Sequence, residues 1–159
     1  MRTVFLAVLL TLPAAAAETQ QDNSTAAGPV RIEADSMRHY RDRSVSEFRG
    51  NVYMKGNGME MRSEASDVYL EGTSAVDRVV STGNVRINGE DMRAISERAE
   101  IFVRENRVIL TGNVRIWQAD NYLEGEKVVM NSETGELNVD SGGENRVKII
   151  FSPAEESKE

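Results

Sequence analysis

The sequence contains no cysteine and only one histidine, His39. Without cysteine there is no thiol nucleophile, no thiolate ligand for a metal ion and no disulfide to stabilise an exported domain. A single histidine leaves no histidine-rich metal site. His39 has two interpretations, a pH-sensitive contact or an ordinary sheet residue, and its place in a strand pattern favours the second. We therefore predict no catalytic residue, no metal ion and no cofactor.

Basic residues are in the minority, because 19 Lys and Arg against 26 Asp and Glu give a net charge of −7. An acidic chain without a run of basic residues is not typical of nucleic-acid-binding proteins, so we predict no nucleic-acid partner. Acidic side chains recur along the chain and could form the carboxylate pair of a carbohydrate-active enzyme. Their outward or corner positions on the predicted strands favour a solvated face instead. These acids are Glu64, Asp67, Glu97 and Glu100.

Several arginines also hold outward positions on the predicted strands. Two interpretations are open, since a guanidinium group can bind phosphate or can pair with an acid on a neighbouring strand. We expect cross-strand pairing with the acids. The arginines concerned are Arg31, Arg62, Arg86, Arg93 and Arg115.

Long apolar runs are nearly absent, and the one that occurs, at residues 4–12, is too short to span a bilayer. It follows Arg2 and precedes a proline and four alanines, which is the pattern of a secretory signal peptide cleaved before Glu18. We predict a signal peptide at 1–17 and a flexible lead-in at 18–28. One domain then covers 29–153, and a disordered acidic tail covers 154–159.

What the sequence does contain is a repeat. The tripeptide Gly-Asn-Val occurs at residues 50–52, 83–85 and 112–114, and apolar residues alternate with polar ones on both sides of each copy. A period of two is the signature of strands with one buried face. In every copy the alternation skips one residue in the second strand, which predicts a β-bulge or a corner. Turn residues separate the runs and no helical period occurs, so we predict an all-β fold of repeated antiparallel hairpins.

The inner phase of these strands is apolar, and it holds every methionine except Met1. An unbranched thioether adapts its shape, so this wall suits a flexible apolar guest such as an acyl chain, although methionine also fills ordinary cores. We predict that the inner positions line a single continuous groove. They are Val30, Ile32, Ala34, Met37, Phe48, Val52, Met54, Met59, Met61, Val68, Leu70, Val85, Ile87, Met92, Ala94, Ala99, Ile101, Val103, Leu110, Val114, Ile116, Leu123, Val128 and Met130.

Aromatic residues make up only 6% of the chain, and three of them recur at matched positions of the repeat. Tyr40, Tyr69 and Phe102 fall in the outward phase. Either they shield the outer surface of the sheet, or the phase is wrongly assigned at these positions.

The order of these motifs resembles the LptA family of OstA-like lipopolysaccharide transport proteins. The resemblance is carried by Pro-Val-Arg-Ile-Glu-Ala-Asp at 29–35, by the Gly-Asn-Val units, and by Arg-Val-Lys-Ile-Ile-Phe-Ser-Pro at 146–153. It implies an open, twisted antiparallel β-jellyroll in which repeated hairpins form two sheets with a V-shaped section. The inner positions would then line the groove of the V.

The resemblance also implies a role in the periplasm. Such a protein would accept lipopolysaccharide from LptC at the inner membrane and pass it to LptD at the outer membrane, with peripheral contact with both membranes through these partners. The lipid A acyl chains would lie in the groove, with Val30 and Ile32 at one end and Ile101 and Val103 further along. A sister bridge component of the LptC type remains an alternative.

The terminal strands are expected to present unpaired edges, which can recruit a strand from another chain. Pairing of one end with the other end of a second copy gives an open, head-to-tail homo-oligomer. A filament-forming β-stack with a solidly packed inner face, and no lipid, is a further alternative. The predicted edge residues are Val30, Arg31, Ile32, Glu33, Ala34, Val147, Lys148, Ile149, Ile150 and Phe151.

Overall fold

The structure is a computed structural model that describes residues 29–56, 58–72, 75–143 and 145–152. The predicted signal peptide, lead-in and acidic tail lie outside these residues. Within them there is no helix that could cross a bilayer. The strands are β1 (Arg31–Glu33), β2 (Ser36–Tyr40), β3 (Val45–Gly56), β4 (Met59–Glu71), β5 (Ala75–Asn88), β6 (Met92–Phe102), β7 (Arg107–Gln118), β8 (Asn121–Asn131), β9 (Leu137–Asp140) and β10 (Lys148–Ile150).

All ten strands belong to one antiparallel sheet with the order β1-β3-β4-β5-β6-β7-β8-β10. From β3 to β8 each strand pairs with the next one along the chain, as the predicted hairpins require. β2 lies beside β3 at one end of the sheet, and β9 lies beside β8 at the other. The sheet does not close on itself, because β1 and β10 end opposite edges. The predicted all-β, open antiparallel fold is confirmed.

The Gly-Asn pair of each repeat forms a β-bulge. In β7, Gly112 and Asn113 face the single residue Glu126 of β8, and both adopt left-handed backbone conformations with φ of 84° and 48°. β3 and β5 have bulges of the same kind, facing Glu64 and Glu97. Each bulge faces the place where the second strand was predicted to skip, so the corner is confirmed, but the extra residue lies in the first strand of each unit.

Carboxylates of the preceding strand fix the bulges of β5 and β7. Asn84 Nδ2 donates a hydrogen bond to Glu64 Oε1 at 2.5 Å, and Asn113 Nδ2 donates one to Glu97 Oε1 at 2.9 Å. Both acids are exposed, as expected for a solvated corner.

The line of bulges folds the sheet, because side chains on its two sides, such as Met61 and Val68 of β4, line the same cavity. This fold in the sheet produces the predicted V-shaped section.

We predict that Gly112→Ala destabilises the fold far more than Gly135→Ala. Both glycines have left-handed φ, so each alanine has a backbone cost of about 1 kcal/mol. At Gly112 the new Cβ would also lie 2.7 Å from the Glu97 side chain, whereas nothing lies within 4 Å at Gly135. The expected loss for Gly112→Ala is about 3 kcal/mol in urea denaturation. Equal losses for the two variants would contradict the role given to the bulge.

Fully buried residues occupy the rows on either side of the bulge line. Val52, Val85 and Val114 lie on one side and Leu110 and Val128 on the other, all at most 1% exposed. Serine hydroxyls in the same rows satisfy one another, because the Oγ atoms of Ser66 and Ser81 are 2.7 Å apart and those of Ser63 and Ser66 are 2.9 Å apart. The apex of the V is thus tightly packed.

The recurring aromatic residues lie on the outer face of the sheet. The guanidinium of Arg78 stands 4.2 Å from the ring centre of Tyr69, and that of Arg107 stands 4.4 Å from the ring centre of Phe102. Arg43 covers Tyr40 in the same way at 4.0 Å. The outward assignment is therefore correct, and each ring is covered by a cation.

Candidate functional site

Two apolar cavities lie between the walls of the V. The larger, of about 530 Å³, is at the β1 end, and no ionisable side chain lines it. The smaller, of about 140 Å³, is at the β10 end. The larger cavity is lined by Pro29, Val30, Ile32, Met54, Gly56, Met59, Met61, Val68, Ala75, Val76, Val79, Ile87, Ile101 and Val103. The smaller is lined by Met92, Ile116, Gln118, Asn121, Tyr122, Leu123, Met130, Leu137, Ile149 and Phe151.

Strand register places these side chains opposite one another. On one wall Met54, Met61 and Ile87 are consecutive cross-strand partners in β3, β4 and β5. On the facing wall Val68 of β4 pairs with Val79 of β5. Because each strand crosses the bulge line, a single strand contributes to both walls. The arrangement gives an apolar surface without an ionisable side chain.

The predicted inner residues divide into groups by location. Those at the larger cavity are Val30, Ile32, Met54, Met59, Met61, Val68, Ile87, Ile101 and Val103. Those at the smaller cavity are Met92, Ile116, Leu123 and Met130. Those packed in the core without lining either cavity are Ala34, Phe48, Val52, Leu70, Val85, Ala94, Ala99, Leu110, Val114 and Val128.

Met37 is the exception among the predicted inner residues. It lies opposite Phe48 in β2 but is 61% exposed, and it belongs neither to the core nor to a cavity lining. Its assignment to the groove was wrong, because β2 is an edge strand with no wall facing this position. The five other inner methionines, two of them at the smaller cavity, all line cavities.

Along the predicted single groove the structure has two cavities, which share no lining residue. The continuity of the groove stays a prediction. Alternation along a strand determines which face a side chain occupies, but it does not determine whether two facing walls touch. Near the bulge line, Ala94, Ala99 and Leu110 are fully buried.

Several residues that line the cavities were not predicted from the sequence. Val79 lies two residues before Ser81 in the same phase, so extending the alternation towards the N terminus would have found it. Val76 could not be found this way, because the pairing of β4 with β5 shifts register between Tyr69 and Leu70. Ile149 and Phe151, which were predicted as edge residues, line the smaller cavity as well.

Polar and titratable groups are arranged on the outside. His39 is exposed, and its Nδ1 is 3.0 Å from Ser46 Oγ. Asp67 accepts from Arg49 at 2.7 Å and Glu100 accepts from Arg98 at 3.0 Å, so these acids hold structural pairs. Among the described residues no group of three or more His, Cys, Asp or Glu side chains could hold a metal ion.

The shifted pKa values belong to the outer face and the rim of the smaller cavity. The hydrogen bond from Lys55 lowers the pKa of Glu60, and the pKa of Lys55 rises for the same reason. Burial raises the pKa of Tyr122, and the hydrogen bond that Tyr122 donates to Glu124 raises it further. None of these groups faces the larger cavity.

Leu110 and Met59 should differ sharply in their contribution to stability. Leu110→Ala is expected to cost about 3 kcal/mol in urea denaturation, because the fully buried side chain leaves a void at the apex. Met59→Ala should cost less than about 1 kcal/mol, because the half-buried Met59 borders an existing cavity. A Met59→Ala loss as large as that of Leu110→Ala would contradict the division into packed apex and open walls.

Together the open, folded sheet and its apolar cavities define a β-jellyroll protein with a hydrophobic groove. A family model described as "LptA/(LptD N-terminal domain) LPS transport protein" matches residues 31–136. The chain belongs to this family, and the resemblance drawn from the sequence is confirmed.

Individual relatives are more distant. The lipopolysaccharide export system protein LptH of Pseudomonas aeruginosa is 23% identical over 112 residues, which cover 66% of this chain and 64% of that relative, less than two thirds of its length. A crystal structure of LptH, described as the LptA homologous periplasmic component of the lipopolysaccharide transport device of that organism, superposes with a TM-score of 0.70 at 22% identity. That match covers 79% of this chain and 96% of the other, and it confirms the jellyroll fold.

Proposed function

We propose that this protein is a periplasmic carrier of lipopolysaccharide, which it holds by the lipid A acyl chains and passes towards the outer-membrane assembly machinery. The observation that carries the proposal is the larger cavity, whose lining of 14 residues is apolar throughout. Its volume of about 530 Å³ is in the range of small-molecule sites. The family to which the chain belongs supports the choice of lipid.

Acyl burial would supply the binding energy. Each methylene transferred from water contributes about 0.8 kcal/mol, so a chain of a dozen carbons gains on the order of 10 kcal/mol. The net charge of −7 gives no general attraction for an anionic glycolipid. A lining without charged groups would also let the acyl chain slide, because no single contact has to be broken at high cost. No reaction is required of this protein, and we propose that it is not an enzyme.

Transfer along the groove would require the two cavities to join. Met92 and Met130 line the smaller cavity, and Met54, Met59 and Met61 line the larger. Unbranched side chains can change rotamer to admit a guest without moving the backbone. We propose that lipid enters the larger cavity first and displaces side chains towards the smaller one.

A carboxylate at the mouth of the larger cavity should weaken lipid binding. Val103 lines this cavity and is 37% exposed, so Val103→Glu is expected to fold. It places a charge where an acyl chain would lie, and we expect affinity for lipopolysaccharide or a fluorescent fatty acid to fall roughly tenfold. Fluorescence titration of the delipidated protein measures the change.

The control is Thr134→Glu, which makes the same charge change at an exposed turn that lines neither cavity. It should bind lipid as the unmodified protein does.

The separation of the two cavities favours a second candidate, a filament-forming β-stack without lipid. Absence of any saturable site in the titration would support that candidate and reject the carrier.

We further propose that the two ends of the sheet mediate assembly. β1 has one partner, β3, and β10 has one partner, β8, so each leaves a backbone edge free among the described residues. Phe151 is 78% exposed beyond β10, and Val30 is 46% exposed before β1. Head-to-tail pairing would extend the sheet and align the smaller cavity of one copy with the larger cavity of the next. LptC and LptD would dock on the same edges.

Deletion of residues 145–159 should reduce self-association, because it removes β10 and its exposed apolar side chains. Light scattering at increasing protein concentration is expected to show a shift towards the monomer. Deletion of 154–159 alone leaves β10 in place and should preserve the oligomers. If both deletions leave the size distribution unchanged, the β10 edge does not mediate assembly.

A further inference from the structure

The outer face of one half of the sheet carries an excess of basic side chains. Two neighbouring cross-strand rows run over it, one from Glu33 to Lys148 and one from Arg31 to Ile150. They hold seven basic and three acidic residues, although the whole chain is acidic. We call this surface the basic face. Its charged members are Arg31, Lys55, Arg62, Arg86, Arg93, Arg115 and Lys148, with Glu33, Glu60 and Glu124.

Most arginines of the basic face have no ionic partner. Within the part of the chain that the structure describes, Arg62, Arg86, Arg93 and Arg115 form no ion pair, although all four are exposed. The expected cross-strand pairing with acids is therefore wrong for these four. Arg31 alone of the five predicted arginines has a partner, Glu33.

The acids on the basic face bind side chains other than these four arginines. Glu60 accepts from Lys55 at 2.8 Å, and Glu124 accepts from the Tyr122 hydroxyl at 2.7 Å. Arg115 lies directly opposite Glu124 in the register, yet the two side chains form no ion pair. The free guanidinium groups are thus available to an external anion.

Two arginines of the basic face lie so close together that their charges repel each other when no ligand is bound. Arg62 and Arg86 are direct cross-strand partners on the same face, where Cβ atoms are about 5 Å apart and like charges repel. The other half of the outer face is organised differently, because there Arg49 binds Asp67 and Arg98 binds Glu100. The uncompensated pair is explained if an anion lies over it.

Aromatic side chains accompany these arginines. Arg62 covers the ring of Tyr53 at 4.7 Å, and Lys148 lies 5.8 Å from the ring of Tyr122. Trp117 is the direct cross-strand partner of Arg93 and is 37% exposed, with its ring 5.5 Å from that of Tyr122. Tryptophan and tyrosine beside arginine are typical of surfaces that meet a lipid headgroup region.

We propose that the basic face binds the surface of an anionic phospholipid membrane. The unpaired arginines spread over β4 to β7, a width of about 14 Å, and all are solvent-exposed. This shape fits many phosphates on a flat surface better than one phosphate in a pocket, which would need buried, converging donors. The face is opposite the groove, so a lipid surface and a groove-bound acyl chain would not compete. Contact with membranes would then not depend on partner proteins alone.

The test is co-sedimentation of the protein without residues 1–17 with two kinds of vesicle. One kind contains phosphatidylglycerol and phosphatidylcholine in equal parts, and the other contains phosphatidylcholine alone. Binding is expected only to the anionic vesicles and should weaken as salt is raised. Arg62→Gln/Arg86→Gln should reduce binding at least tenfold. Arg49→Gln/Arg98→Gln, which changes the net charge equally but removes paired arginines, should reduce it less than twofold. Circular dichroism checks that both variants fold.

Trp117 provides a local readout, since it is the only tryptophan of the chain. Anionic vesicles should shift its emission to shorter wavelength and protect it from acrylamide quenching. The proposal is overturned if anionic vesicles do not bind, as expected if the face instead receives an acidic protein. It is also overturned if both arginine variants lose binding equally, or if inorganic phosphate alone protects Trp117. The Val103→Glu variant should bind vesicles as the unmodified protein does. If this variant loses vesicle binding, the vesicle contact lies at the groove and the basic face is rejected.

Discussion

The Gly-Asn bulge, held by a carboxylate that comes before it in the chain, is the constraint on which the rest of the structure depends. At each bulge two left-handed residues face one acid, and the asparagine amide is tied to the acid on its other side, as Asn84 is to Glu64. Glycine is required because the acid lies against the position that a Cβ would occupy. The resulting line of bulges folds one sheet into two facing walls, so the groove follows from backbone geometry.

Packing becomes looser with distance from this line, so the residues that stabilise the fold differ from those that line the cavities. Serine, alanine and valine fill the apex, where Ser81, Ala99 and Val114 are fully buried. Methionine and isoleucine stand further out, where the walls diverge and leave two cavities. A tight apex lets the outer walls remain loosely filled without loss of the fold, because the buried rows carry the hydrophobic stabilisation. The unbranched methionine side chains are therefore located where a guest would need room.

Charged side chains are also distributed unevenly over the protein. Acids such as Glu64 and Glu97 are placed at the bulges, whereas arginines such as Arg62, Arg86 and Arg115 gather on one outer face. The net charge of −7 therefore does not describe the surface that a partner would meet. An apolar groove on one side and a basic face on the other give the sheet two chemically independent surfaces.

Period-two alternation was sufficient to assign faces, because neighbouring side chains of an extended strand point to opposite sides whatever the strand packs against. It identified the corner in each copy, the outward Tyr69 and the inward Met61, but it placed the irregularity in the second strand and not at Gly-Asn-Val. It failed at Met37, where an edge strand has no facing wall, and at Val76, beyond a register shift. The separation of the two cavities and the position of Arg62 beside Arg86 follow from strand pairing and from the folding of the sheet. Both depend on distances between residues far apart along the chain, which no local pattern encodes.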